Sequence, residues 1–186
     1  NIPVEASVTG NYFESPEVND CLSVLKVLDN PIRDIEFAAV MRSPLFGFSD
    51  SDLLEIRDFV DDSSKPFYCC ACEYAGGGVS AELADKITRL LNTLKDWTTA
   101  ASSDNLAHLV WNIILHNDFL SFATALPGGL QRRADLLKLY ERAIQFDGFL
   151  SAQGNPSLAR FVDFIERLRE SDTDWSQAET EAPQGS

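Results

Sequence analysis

SPEVNDCLSVLKVLDNPIRDIEFAAVMRSPLFGFSDSDLLEIRDF, residues 15–59, reads as three short helices cut apart by two prolines. Ser15-Pro16 is a helix start: a hydroxyl cap followed by proline at the first helical position, where its missing N–H costs nothing. Val18, Leu22, Leu25 and Leu28, with Cys21 beside them, recur at spacings of three and four and form one apolar stripe. Asn30-Pro31 stops that helix, because a residue before proline is pushed out of the α region. Asp34 is positioned to cap a second, turn-rich helix through Ile35, Ala38, Ala39 and Met41, halting before Ser43-Pro44. Gly47 then frees the backbone, and Ser49 with Asp52 forms a capping box for a third helix containing Leu53, Leu54 and Ile56. Helices this short are not stable alone. The block is therefore expected to be one corner of a larger helical domain.

The rest of the chain agrees. Residues 61–65 are a polar linker, after which Pro66 starts FYCCACEYA, ended by Gly76-Gly77-Gly78. Ser80 caps a long helix over about 81–100, with Leu83, Ile87, Leu90, Leu91, Leu94 and Trp97 on one face and Asp85, Lys86, Arg89 and Lys95 on the other. Ser102-Ser103-Asp104 restarts a helix with Leu106, Leu109, Val110, Ile113 and Ile114 inward. A short helix is expected over 118–125, then a Pro127-Gly128-Gly129 turn leads into QRRADLLKLYERAIQF, with Leu136, Leu137, Tyr140, Ala143 and Ile144 inward. Asn155-Pro156 precedes a last helix with the stripe Leu158, Phe161, Val162, Ile165 and Leu168. The fold class is all-α, a multi-helix orthogonal bundle of about seven to eight helices. Val4, Ala6 and Val8 alternate with polar residues, so 3–8 is either a frayed terminus or one strand of a sheet outside the chain. The expected division is 1–14 as a frayed terminus or a remnant of a neighbouring domain, 15–170 as the helical domain and 171–186 as an acidic disordered linker.

Composition limits the chemistry. The chain has 186 residues and a net charge of −14, which opposes tight nucleic-acid binding, since such binding is driven largely by phosphate neutralisation. No apolar run reaches the ~18 residues of a membrane helix, and no signal peptide is visible. Asn1-Ile2-Pro3 lacks an initiator Met, so the chain is expected to be part of a longer protein. The crowding of Cys69, Cys70 and Cys72, with Cys21 apart, is not a disulfide framework and suits a reduced, cytoplasmic setting. Cys69 and Cys72 make one C-x-x-C with no second pair, and His108 and His116 lie two turns apart on another helix, so small apolar fillers are the better reading than a metal site. Arg132 and Arg133 fall in the first turn of their helix, where the macrodipole disfavours cations; they face either solvent or an acidic group or phosphate. There is no G-x-x-x-x-G-K-[ST], G-x-S-x-G, H-E-x-x-H or G-x-G-x-x-G, so this chain by itself is not expected to be an enzyme.

A family resemblance covers most of the chain. LKVLDNPIRDIEFAAVMRSPLFGFSDSDLLEIR at 25–57, with Tyr12-Phe13-Glu14 ahead of it, resembles the helical insertion of the AddA (RexA) helicase–nuclease subunits. Leu109-Val110-Trp111, LPGGLQRRADLLKLYERA at 126–143 and RFVDFIERLRE at 160–170 follow in the family's order. The cysteine-rich stretch and the triple glycine do not match it. The family is similar to UvrD-type superfamily 1 helicases. The resemblance therefore implies a noncatalytic 2B-like insertion in the second motor domain of an ATP-dependent DNA helicase and exonuclease of break repair and recombination, with 1–14 as a motor-domain remnant if it is not a frayed terminus. Such a part would position duplex DNA or regulate the motor, with ATP and Mg²⁺ bound elsewhere in the whole protein. An AddB-type subunit is the implied partner, and docking of that subunit or of neighbouring domains is the alternative role. In UvrD-type relatives a glycine-bracketed turn touches the duplex backbone; the matching residues here are Gly47, Phe48 and Ser49, with the second glycine missing, and Arg42 and Arg132 are the nearest cationic helpers.

Overall fold

The computed structural model describes residues 12–103, 105–150 and 158–181. Within them the chain is all-α, with no strand. A 3₁₀ turn at Tyr12–Glu14 leads into α1 (Pro16–Asp29), α2 (Asp34–Arg42), α3 (Asp50–Phe59), α4 (Phe67–Gly77), α5 (Ala81–Ser103) and α6 (Leu106–Leu115). A second 3₁₀ turn, His116–Asp118, precedes α7 (Phe119–Ala125), α8 (Gly129–Leu150) and α9 (Leu158–Glu181). The strand reading of 3–8 and the Asn155-Pro156 start of the last helix lie outside the described residues. Helix α9 runs to Glu181, well into the acidic stretch expected to be a linker; no proline or glycine interrupts 158–181. No helix among the described residues is long and apolar enough to cross a membrane.

α1 is the core helix. Its expected stripe is buried, and so are Val24 and Val27. Apolar side chains around most of a helix demand neighbours on most sides, and α1 packs against α2, α5, α6, α8 and α9. The phase of α2 is one the sequence reading left open, and that of α8 differs from it. In α2 the inward residues are Phe37, Val40 and Met41, while Ile35 is 84% exposed. A nine-residue helix offers several near-equivalent apolar stripes, and the one carrying Phe37 wins because that ring meets Phe67 and Tyr68 edge-on at 6.0 and 5.4 Å. In α8 the buried line is Leu136, Leu139, Ala143 and Phe146, and Ile144 is exposed. Phe146 turns toward Phe161 and Phe164 of α9, at 5.2 and 5.3 Å, which rotates Ile144 outward. Leu54 of α3 is likewise exposed, with Ile56 carrying that helix's burial.

Two helix starts are capped by residues far away in sequence. Asp34 does not cap α2; its carboxylate accepts the N–H of Phe67, the first residue of α4, at 2.8 Å. Asp147 near the end of α8 accepts the N–H groups of Leu106 and Ala107 at the start of α6, at 3.2 and 2.8 Å. Helix N-termini carry unpaired N–H groups and positive partial charge, so a carboxylate there satisfies both. Ser49 and Asp52 form the reciprocal capping box read from the sequence.

Urea denaturation separates the two readings of α8. Leu139→Ala should lower unfolding free energy by about 2–5 kcal/mol, the range for a buried leucine, whereas Ile144→Ala should change it by under about 1 kcal/mol. Equal losses would restore the stripe read from sequence.

Candidate nucleic-acid interface

The corner between α2 and α3 holds four of the five residues singled out from the sequence. Pro44 ends the α2 direction, and Gly47 turns the chain with φ +64°, a left-handed conformation that glycine adopts without steric cost. The N–H groups of Phe46 and Gly47 both donate to the Ser43 carbonyl, at 3.0 and 2.8 Å. The Phe48 N–H donates to the Met41 carbonyl at 2.9 Å, and the Ser49 N–H to the Asp52 carboxylate at 2.9 Å. The backbone donors of Gly47, Phe48 and Ser49 are therefore engaged inside the fold. Phe48 is buried, while Arg42 is exposed and pairs with Asp50 at 2.8 Å.

Two distant side chains fix this corner. The Lys86 ammonium on α5 donates to the Gly47 carbonyl at 2.8 Å, lies 3.3 Å from an Asp52 oxygen and sits 4.3 Å from the Phe48 ring centre. The Asn117 amide donates to the Leu45 carbonyl at 2.8 Å. Asn117 and Asp118 are consecutive left-handed residues, φ 49° and 57°. Such conformations cost of order 1 kcal/mol or more each and persist only when the surroundings hold them. Partial burial pushes the Asp52 carboxyl up, but the Ser49 N–H and hydroxyl and the Lys86 ammonium outweigh it, leaving Asp52 below the usual carboxylate range. Asp50 and Asp52, read from sequence as anions that would repel phosphate, are thus both matched by cations. Nothing local in the sequence links Lys86 or Asn117 to Gly47; only packing does.

Arg132 belongs elsewhere. Its guanidinium donates to the Pro127 carbonyl at 3.0 Å and pairs with Glu17, a buried carboxylate of α1 that also accepts from the Ser15 hydroxyl at 3.0 Å. Of the readings open for this first-turn arginine, it faces an acidic group, and that group is internal. The site residues thus separate: Arg42, Gly47, Phe48 and Ser49 form one corner, and Arg132 joins α8 to α1. Beside Glu17, burial and then the Glu17 carboxylate push Asp20 up to about 7.

The cysteines do not converge. Cys70 is buried and receives an Arg57 N–H at 3.3 Å, Cys72 is exposed, and Cys69 is half-buried. Among the described residues no three His, Cys, Asp or Glu side chains are placed to hold a metal ion. His116 packs against Phe46 and Trp97, at 5.3 and 5.0 Å, and burial holds it below its usual range. His108 lies in the first turn of α6, where its backbone N–H donates to the capping Asn105 side chain at 2.8 Å.

Comparison with known proteins defines the class first: this helical unit is similar to one part of the helicase/nuclease subunits. No family model matches the chain. Over 96% of its length it is 40% identical to the A-subunit of the ATP-dependent helicase/nuclease of Anoxybacillus flavithermus. It is 40% identical to that of Geobacillus thermodenitrificans over 95% of the chain, and 38% identical to that of Listeria monocytogenes serotype 4b over 97%. The chain belongs to the AddA family of ATP-dependent helicase/nuclease subunits. It spans 14% of the length of these relatives.

The Asp20 carboxyl gives a pH signature. Its proton is held more tightly in the folded chain than at the ordinary value of 3.8, so its contribution favours folding fully below that value and is lost as pH rises through about 7. Asp20→Asn should therefore raise the urea midpoint relative to the parent chain more at pH 8 than at pH 5. A gain that does not vary with pH would contradict the assignment.

Proposed function

We propose that the chain is a noncatalytic, 2B-like helical subdomain of an ATP-dependent helicase/nuclease, in which it positions duplex DNA and regulates the motor by moving as one body. The division proposed is 15–170 as that subdomain, with 1–14 joining the motor domain and 171–186 leading away from it. ATP and Mg²⁺ are proposed for the whole protein, outside this chain, and an AddB-type subunit is its proposed partner. The observation that carries the reading is the α2–α3 corner: a left-handed Gly47 held from two sides by Lys86 and Asn117, with Arg42 exposed beside it. A corner clamped in this way presents a fixed shape to a backbone, which is what positioning a duplex needs. With its N–H groups engaged, the contact is assigned to Arg42 and to the surface of the Gly47–Ser49 turn. Arg132 is assigned a positioning role through Glu17.

A second reading has its own support. Ile32 and Ile35, 56% and 84% exposed, stand three residues apart at the α1–α2 corner, where a neighbouring domain or the partner subunit could cover them. Sedimentation of the full-length subunit with its partner would show weakened association for Ile35→Ser if that face docks, and no change if it does not.

The two arginines separate in the full-length protein. Arg42→Glu should weaken duplex binding and unwinding and flatten the salt dependence of affinity, with folding stability little changed, because its ion pair is exposed. Arg132→Glu should mainly destabilise the fold, because it leaves the buried Glu17 carboxylate facing a like charge. Unchanged salt-dependent affinity in Arg42→Glu would reject the duplex contact.

A further inference from the structure

A groove of about 670 Å³ opens beside the Gly47 corner, between Phe46 and Phe48, the polar face of α5, and His116 with Asn117. Its cations are Lys86 and Arg89, three residues apart on α5 and so about 4.5 Å apart along the axis. Lys86 is partly committed to Gly47 and Asp52. Arg89 makes no ion pair or side-chain hydrogen bond among the described residues, although it lines the groove. Two carboxylates, Glu82 and Asp96, line it as well. Each stands seven residues from Arg89, about 10 Å along the helix, which is about the screening length at 0.1 M salt; Glu82 is also one turn, about 6 Å, from Lys86, so Arg89 is the cation that stands two turns from either carboxylate. Asp52, the partner of Lys86, is taken up by that ammonium and by the Ser49 N–H. Asp85, one turn before Arg89, does not line the groove. The His116 ring, which burial holds below its usual range, contributes a packed wall with Phe46.

We infer that this groove is a phosphate-binding site, in which Arg89 and Lys86 take a phosphodiester of the duplex that the Gly47 corner faces. The inference rests on the duplex-positioning reading and extends it from the corner to α5. A guanidinium fork beside an ammonium suits a phosphodiester, and Lys86 belongs to both the groove and the corner, so the two surfaces are continuous. For a chain of net charge −14 such a contact is confined to a short track: Lys86 and Arg89, with Glu82 one turn before Lys86 and Asp96 two turns after Arg89.

The test uses the full-length subunit with its partner and a short, blunt, fluorescein-labelled duplex, titrated by anisotropy over a range of salt. Arg89→Gln should weaken binding severalfold and lower the slope of log affinity against log salt by about 0.9, the value for one lost phosphate contact. Arg89→Lys should retain most of that slope, since the charge remains. The melting temperature of Arg89→Gln should match the parent, which separates lost contact from lost fold. If Arg89→Gln leaves the slope unchanged while Arg42→Gln lowers it, the groove takes no phosphate and the corner reading survives. If neither variant moves the slope, both readings fall.

Discussion

A helix bearing Val18, Cys21, Leu22, Val24, Leu25, Val27 and Leu28 has apolar side chains around most of its circumference, and each of these seven is buried. Burial of one such side chain contributes about 1.5–3 kcal/mol, so covering the apolar sides of α1 is a large demand on the fold. Short helices help to meet it. None of α2, α3, α4, α6 or α7 would persist alone, and α2, α5 and α6 flank α1 while α8 and α9 complete the enclosure. The punctuation by proline and glycine lets the chain turn sharply enough to do this.

Polar groups stitch the enclosure at its seams. The carboxylates of Asp34 and Asp147 satisfy the starts of helices more than thirty residues away in sequence, and Arg132 reaches the buried Glu17 across more than a hundred. These contacts are few, but each answers a group that burial would otherwise leave without a partner. Gly129 shows the backbone under a similar constraint: a Cβ there would stand 1.8 Å from the Thr124 carbonyl, so the tight α7–α8 turn requires glycine.

The α2–α3 corner is where structure and proposed function meet. Its backbone donors are engaged within the chain, its two acidic residues are matched by Arg42 and Lys86, and Asn117, itself left-handed, donates to it from the second 3₁₀ turn. The result is a clamped corner whose acidic side chains are paired, on a chain of net charge −14. Rigidity of that kind serves placement and the transmission of motion, and it accords with membership of a family whose relatives are far longer than this chain.

Helix order and most boundaries were legible because local chemistry sets them: proline at 16, 31, 44 and 66, the capping box at Ser49 and Asp52, and apolar spacing in α1 and α5 all act within a few residues. The corner at Gly47 was legible for the same reason. The rotation of α2 and α8 was not, since Ile35 and Ile144 are as apolar as the residues that displaced them, and only the rings of Phe67, Tyr68, Phe161 and Phe164 decide which face turns in. Nor could the sequence disclose that Arg132 is bound to Glu17, or that Lys86 and Asn117 hold the corner. The sequence by itself determined where helices begin and end, because those signals are short-range. The tertiary structure alone decided which side chains meet, because contacts across tens of residues depend on how every helix packs at once.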